Sequence, residues 1–255
     1  MTLHELDLRL RSFLLMEDYA QDPSQNGIQI QNAEPDTKHI RKIAFAVDAC
    51  EETVRRAAHL KADMLFVHHG LFWSREQVIT GAHYRRIRAC IEADMALYAC
   101  HLPLDANEEV GNNYGLARRL GLQNLERFGL WKGMTIGVRG EFAEAADLDE
   151  VLRRLFPQGE KPLSVLPFGK KAIKTAAIIS GGAGGDLSQA VQQNMDIFIT
   201  GEIGHEQYHE ALENGINLIA GGHYQTETVG VNLTAEKVKK DWGIETVFID
   251  VPTGL

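Results

Sequence analysis

Short apolar runs alternate with helix-like segments along most of this chain, and this alternation restricts its fold more than any other feature. The runs are IAFAV (43–47), MLFV (64–67), ALYAC (96–100), AAIIS (176–180), IFIT (197–200) and INLIA (216–220). None alternates apolar with polar residues, which is typical of strands covered by helices on both faces of a sheet. The helix-like stretches lie at 51–61, 82–94, 110–120, 186–193 and 204–213. The sequence therefore predicts an α/β fold.

The strand-like runs fall into two groups, 40–100 and 173–255, separated by a less regular stretch. Within that stretch GLWKGMTIGVRGEF predicts a strand or hairpin, DLDEVLRRLF a short helix with an acidic start, and PQGEKPLSVLPFGKK a loop. We therefore predict two α/β lobes, residues 1–125 and 126–255, with a C-terminal segment that can pack back on the first lobe.

Composition excludes several classes of protein. The chain has 255 residues, of which 44% are hydrophobic, so it can bury a large core. No apolar run approaches the roughly 20 residues that span a bilayer, and the first residues are amphipathic and acidic, so we expect a cytoplasmic protein without a membrane segment. The formal net charge of -9 argues against broad attachment to nucleic acid, and a basic cluster indicates a solvated helix face. That cluster is Arg85, Arg86 and Arg88.

The three cysteines, Cys50, Cys90 and Cys100, form neither an even disulfide set nor a CxxC pair. Each lies beside apolar or alanine-rich sequence. We therefore predict reduced, buried thiols, as in a protein of a reducing compartment.

Polar residues cluster directly after the apolar runs. VHHG follows MLFV, HLPLD follows ALYAC, GGAGG follows AAIIS, TGE follows IFIT and GGHYQTE follows INLIA. In open α/β sheets ligands bind at the carboxyl ends of the strands, so these His, Asp and Glu residues are candidates for one site.

Three of these strand ends carry metal-type donors. They are His68 with His69, His101 with Asp105, and His223 with Glu227. Nitrogen and oxygen donors without a thiolate suit Zn, Fe, Mn or Ni, and three sets together favour a dinuclear site. Each set also has a structural alternative. The two adjacent histidines can occur by chance at the surface or at the edge of the core. Asp105 can be a helix N-cap, and His223 with Glu227 can be a salt bridge at a helix start. Pro103 indicates that HLPLD is not an ordinary helix-interior turn.

A competing metal motif lies at residues 205–209. His205, Glu206 and His209 spell HExxH, in which two histidines ligate zinc and the glutamate acts as general base. That site needs a third ligand from a following helix, whereas an apolar strand-like run and a glycine pair come next. A zinc protease is therefore the least favoured alternative.

GGAGG at 181–185 lacks the lysine and spacing of phosphate-binding loops and predicts a tight turn.

Five blocks, spread in order along the chain, resemble one known family. They are NGIQI (26–30), FVHHGLFW (66–73), HLPLDANEEVGNNYGLARRLGL (101–122), TGEIGHEQYHEAL (200–212) and GGHYQTETVGV (221–231). Together they resemble the NIF-three-like dinuclear-metal family, often labelled GTP cyclohydrolase I type 2 homologs. The resemblance implies two intertwined three-layer α/β/α lobes with the metal site in the cleft between them. It also implies a toroidal homohexamer.

The resemblance further implies a ligand set for two divalent ions per chain. That set is His68, His69, Asp105, His223 and Glu227, with Glu227 bridging. His101 is implied to lie near the ions, as a neighbouring residue or a variable ligand, and family members carry a histidine at the position of His209, so His205 completes HExxH by chance. The implied activity is metal-dependent hydrolysis of a nucleotide-like substrate through a metal-bridging hydroxide. The alternative is a non-catalytic metal-binding ring with a regulatory or chaperone-like role.

Overall fold

The structure, a computed structural model, describes residues 1–255. It is a mixed α/β protein with two sheets and nine α-helices, which confirms the predicted fold class. The chain divides into two compact units. The first comprises Met1–Leu104 and Gly230–Val251, and the second comprises Asp105–Val229 and Pro252–Leu255. No helix is both long and apolar enough to cross a membrane.

The first unit contains a five-stranded sheet. Its strands are β1 (Gly27–Ile30), β2 (Lys42–Asp48), β3 (Met64–His69), β4 (Ala96–Ala99) and β11 (Glu245–Phe248). Their order is β1-β4-β3-β2-β11, and only β1 is antiparallel to its neighbour. The helices that lie wholly in this unit are α1 (Leu3–Leu14), α2 (Glu51–His59) and α3 (Gly81–Glu92). Two further helices, α4 (Leu102–Ala106) and α9 (His223–Trp242), each contain a point at which the chain passes between units.

The three central strands of this sheet, β2, β3 and β4, are mostly apolar because both of their faces are covered. On one face Phe45, Phe66 and Tyr98 are register partners on three adjacent strands, with ring centroids 5.1 and 5.6 Å apart. All three are fully buried. The alternate residues of the same strands, such as Ala44 and Val67, belong to a second buried cluster that includes residues of α2. Burial on both faces leaves no position for a polar alternation.

The second unit contains a six-stranded sheet. Its strands are β5 (Leu122–Trp131), β6 (Met134–Ala146), β7 (Ser164–Pro167), β8 (Ile173–Ile179), β9 (Ile197–Thr200) and β10 (Asn217–Ala220). Their order is β5-β6-β8-β9-β10-β7, and β8, β9 and β10 run parallel. The helices are α5 (Asn112–Leu120), α6 (Leu148–Leu155), α7 (Leu187–Gln192) and α8 (Glu206–Asn214). The sequence-based boundary at residue 125 falls inside β5.

The irregular middle of the sequence forms a hairpin and a capped helix. Lys132 and Gly133 join β5 to β6 with φ of 46° and 82°, the conformation that two-residue hairpin turns require. Asp147 caps α6 by accepting a hydrogen bond from the N–H of Glu150 at 2.8 Å. The loop predicted after α6 is wrong in part because β7 pairs there with β10. Pro167 ends β7 at the edge of the sheet, where a missing N–H is tolerated.

Candidate metal centre

Three histidines lie together in the first unit, at the carboxyl ends of β3 and β4. His68 and His69 end β3, and His101 follows β4. The ring centroids of His68 and His69 are 4.6 Å apart, and the ring of His101 lies 5.1 and 5.6 Å from them. One donor nitrogen from each ring lies within 4.8 Å of the other two. Although neighbours in a regular strand face opposite ways, the strand end brings the adjacent histidines into one cluster.

Each ring in this cluster has an oxygen atom at Nδ1. The pairs are His68 with the carbonyl oxygen of Cys100 at 3.0 Å, His69 with Asp48 at 2.8 Å, and His101 with Asp22 at 2.8 Å. A hydrogen bond at Nδ1 places the ring proton there and leaves the lone pair on Nε2 for a cation. The cluster therefore has the tautomers that a metal site needs.

Asp22 holds His101 from the loop before β1. Its side chain is 1% exposed, and it also accepts hydrogen bonds from the Asn26 side chain at 2.8 Å and the Leu102 N–H at 2.9 Å. Burial raises the pKa of this carboxyl, but the hydrogen bond and charge of His101 lead the interactions that outweigh burial and lower the pKa. Asp22 is therefore a carboxylate at neutral pH and fixes the ring of His101.

The candidate donors of the second unit are two carboxylates and one histidine, namely Asp105, Glu227 and His223. His223 begins α9, and its Nε2 lies 3.1 Å from Oε1 of Glu227, one helical turn later. A carboxylate oxygen of Asp105 lies within 4.8 Å of one from Glu227. Asp105 is 6% exposed and Glu227 is 3% exposed. Two carboxylates this close and this buried repel each other, and a divalent cation would relieve that repulsion. The donor set fits a metal.

The short helix α4 carries Asp105, so this residue is not the helix N-cap that the sequence also allowed. Pro103 lies in the first turn of α4, where a missing N–H costs no intrahelical hydrogen bond, so the proline begins a short helix rather than interrupting a longer one. Helix α5 begins at Asn112 after Gly111, so Asp105 is not its N-cap. Instead Oδ1 of Asp105 accepts hydrogen bonds from the Asn112 amide at 2.8 Å and the Ser180 hydroxyl at 2.9 Å.

His223 is oriented in the same way as the histidines of the first unit. Its Nδ1 lies 2.8 Å from Oε1 of Glu202, the glutamate of the TGE segment. Burial lowers the pKa of His223, but hydrogen bonds and charges from Glu227 and Glu202 outweigh it and raise the pKa to about 9. Metal-free His223 therefore carries a proton at neutral pH, in the position that a cation would take.

The first glycine of GGAGG allows the chain to approach Glu227. Gly181 has φ of +67°, and a Cβ there would lie 2.2 Å from Oε1 of Glu227. Any side chain would therefore be strained by the backbone and would collide with the carboxylate. Glycine is thus required at position 181, where the chain passes beside the carboxylate.

The HExxH residues lie on the solvent side of the second unit. His205 immediately precedes α8, and His205, Glu206 and His209 are all exposed. The two imidazole centroids are 6.2 Å apart with planes at 85°. Neither histidine belongs to a group of three donors close enough to share one ion. The geometry therefore gives the protease motif no three-ligand site.

Sequence reasoning named the donors and placed Glu202 of the TGE segment among the strand-end candidates, but it did not assign the carboxylates that orient the imidazoles. Asp22, Asp48 and Glu202 each lie 21 or more residues from the histidine that they contact. One signal was available, because Asp48 and Glu202 also follow apolar runs and so lie at strand ends.

Comparison with known proteins agrees with this architecture. The profile of the family described as Duf34/NIF3 (NGG1p interacting factor 3) matches residues 1–254. The chain belongs to the Duf34/NIF3 family. It is 44% identical over 289 aligned residues to the GTP cyclohydrolase 1 type 2 homolog of Treponema pallidum, and 42% identical over 255 residues to that of Archaeoglobus fulgidus. In both alignments each chain is covered completely.

Solved structures of Duf34/NIF3 proteins share the fold. The crystal structure of TTHA1606 from Thermus thermophilus superposes with a TM-score of 0.90 at 40% identity, with 100% of each chain covered. The resemblance inferred from five short blocks is therefore confirmed at the level of family and fold.

Proposed function

We propose that this Duf34/NIF3 protein is a dinuclear metal-dependent hydrolase that acts on a nucleotide-like substrate. The proposed ligands are His68, His69, Asp105, His223 and Glu227, and the ions are of the Zn, Fe, Mn or Ni type. The observation that carries the proposal is the common orientation of the imidazoles. Each candidate histidine has an oxygen at Nδ1, at 2.8 to 3.0 Å, which leaves Nε2 as the nitrogen that would bind a cation.

The donor chemistry supports two ions rather than one. His68 and His69 offer two imidazoles, and Asp105, His223 and Glu227 offer two carboxylates and one imidazole. If Glu227 is shared through its two oxygens, five residues provide three protein ligands to each ion, the number typical of catalytic sites that keep an open position. We propose that His101 lies beside the ions without being an obligatory ligand.

The protein's own residues supply orientation and charge. Asp48 and Glu202 fix the rings of His69 and His223, while Ser180 holds the carboxylate of Asp105. A bound pair of divalent ions lowers the pKa of a water molecule and polarises the bond to be hydrolysed. The names of the Treponema and Archaeoglobus relatives support a purine nucleotide as the first substrate to test.

An activity screen tests this proposal. Protein loaded separately with Zn²⁺, Fe²⁺, Mn²⁺ or Ni²⁺ is assayed against GTP, other nucleotides and simple phosphoesters, with the His223→Ala variant as control. We expect turnover of at least one nucleotide that requires metal and is lost in the variant. No turnover from protein that holds both ions would contradict the hydrolase and would favour a non-catalytic metal-binding role.

We also propose a toroidal homohexamer in the cytoplasm. The assembly is supported by the family resemblance, and the location by three cysteines that form no disulfide, which favour a reducing compartment. Light scattering in moderate salt should give a mass near that of six chains of 28.4 kDa. A monomer would contradict the ring.

A further inference from the structure

A partly buried tryptophan lies beside the three histidines of the first unit. The centroid of the Trp73 ring is 5.1 Å from that of His101, with the planes at 76°. It is 6.2 Å from the centroid of His69, with the planes at 37°. Indole is not a metal ligand, so the proposed metal chemistry gives this ring no role.

The chain around Trp73 is fixed by hydrogen bonds. Ser24 and Trp73 form an isolated β-bridge, and the indole N–H donates to the carbonyl oxygen of Gly70 at 3.2 Å. The side chain of Gln29 accepts from the N–H of Phe72 at 3.2 Å and donates to its carbonyl oxygen at 3.1 Å. The ring is therefore held in place relative to the histidines.

Trp73 does not serve mainly as a core residue. Leu71 and Phe72 immediately before it pack in or against the buried cluster of the first unit, whereas Trp73 is only partly buried. The next seven residues, 74–80, are all exposed, and Val78 is 80% exposed. The indole thus lies where the chain leaves the core, beside the histidines and partly exposed to solvent.

We propose that Trp73 is the stacking wall of a substrate subsite, and that the ligand class is a planar nitrogen heterocycle of the nucleobase type. A rigid aromatic side chain next to a few polar groups is a common feature of small-molecule sites, and stacking on it accepts any flat conjugated ring. The inference rests on the proposed function, because it places the ring of the substrate beside the histidines that hold the ions. The subsite recognises the base rather than the phosphate.

Intrinsic fluorescence measures this binding without catalysis. The chain has three tryptophans, and the double variant Trp131→Phe, Trp242→Phe leaves Trp73 as the only indole. Metal-loaded double variant is titrated with guanosine, which has a base and no phosphate, and with ribose 5-phosphate, which has a phosphate and no base. We expect saturable quenching by guanosine and none by ribose 5-phosphate. The matched Trp73→Phe single variant, which keeps the other two indoles, corrects for absorption by guanosine.

Kinetics with the best nucleotide substrate give a second readout. Trp73→Leu should raise KM on the order of 10- to 100-fold, the effect of removing an aromatic stacking partner, with kcat little changed. Trp73→Phe should retain most of the affinity, and both variants should keep the parental metal content, which shows that the site is intact.

The results separate this inference from the proposed hydrolase. Saturable quenching by guanosine without turnover would support the subsite and contradict the hydrolase. Turnover with a parental KM in Trp73→Leu would contradict the subsite and leave the hydrolase in place. Absence of quenching in metal-loaded protein would also overturn the subsite.

Discussion

The Nδ1 atom of His69 lies 2.8 Å from Oδ1 of Asp48, and the two residues are register partners at the ends of the parallel strands β3 and β2. The pairing of the sheet therefore sets the orientation of the imidazole. Hydrogen bonds of this kind at Nδ1 fix the tautomer of metal-binding histidines and increase their basicity. His101 and His223 receive the same contact from Asp22 and Glu202.

Removing the carboxylate of Asp48 should weaken metal binding. We expect Asp48→Ala to lower metal affinity about 10- to 100-fold, the usual effect of losing such a partner, because the ring of His69 is no longer held. Asp48→Asn should lose less, because its amide oxygen still accepts a hydrogen bond. Competition with a chelator of known affinity measures the change.

The control for Asp48 is Asp36→Ala, which removes an exposed carboxylate 2.7 Å from His4, a histidine outside the cluster. Metal affinity should not change in that variant. Parental affinity in Asp48→Ala would show that the contact has no part in metal binding.

Glu227→Gln tests the proposed bridge. Its amide keeps the shape of the side chain but offers one neutral oxygen donor, so the protein should lose at least one ion. Any hydrolytic rate should fall on the order of a hundredfold or more, as when a preorganised electrostatic group is removed. Metal analysis and initial rates measure the two effects.

Glu206→Gln is the matched control for Glu227→Gln, because Glu206 would be the general base of the HExxH motif. It should keep both ions and the parental rate. A folded Glu227→Gln protein with both ions and full activity would rule out the bridge.

Asp196 provides a stability test that is independent of metal. Its carboxylate accepts hydrogen bonds from Lys170 at 2.7 Å and from the N–H groups of Lys174 and Thr175 at 2.9 and 3.0 Å. Asp196→Ala should lower the free energy of unfolding by about 2 to 3 kcal/mol at pH 7, because two backbone donors lose their partner. Lys170→Ala should cost less than about 1 kcal/mol, because that side chain is 75% exposed.

The pH dependence of this loss follows from the pKa of Asp196. Burial raises that pKa, but the hydrogen bonds from Lys170, Lys174 and Thr175 outweigh burial and lower it. The stabilisation is therefore fully present above the ordinary pKa of an aspartate and is lost as pH falls through the lower value of the folded protein. Urea unfolding at pH 7 and in acid should show the difference between wild type and Asp196→Ala shrinking in acid. An equal difference at both pH values would contradict this assignment.

Local sequence patterns predicted the strands that are buried on both faces and the helices whose key residues are one helical turn apart. The run MLFV identified β3 because all four side chains are covered, and HxxxE placed His223 and Glu227 on one turn of α9. Helix α6 was predicted from its acidic start, which is the capping segment itself. In each case the signal lies within a few residues of the feature.

Features that depend on strand order could not be predicted in this way. Strand β11 joins the first sheet beside β2, although about 200 residues of chain separate them. Asp22 contacts His101 across 79 residues of sequence.

The helix α4 was missed because Pro103 suggested a break. The proline is compatible with a helix only because it lies in the first turn.

Metal content per chain tests the central claim most directly. Protein is loaded with Zn²⁺ and freed of loosely bound metal. Its metal is then quantified by mass spectrometry and its protein by quantitative amino-acid analysis. We expect a value near two per chain, lowered in His69→Ala and in His223→Ala and unchanged in His205→Ala and in His209→Ala. A value near one that is kept in His223→Ala and lost in His209→Ala would contradict the dinuclear centre and favour the HExxH site.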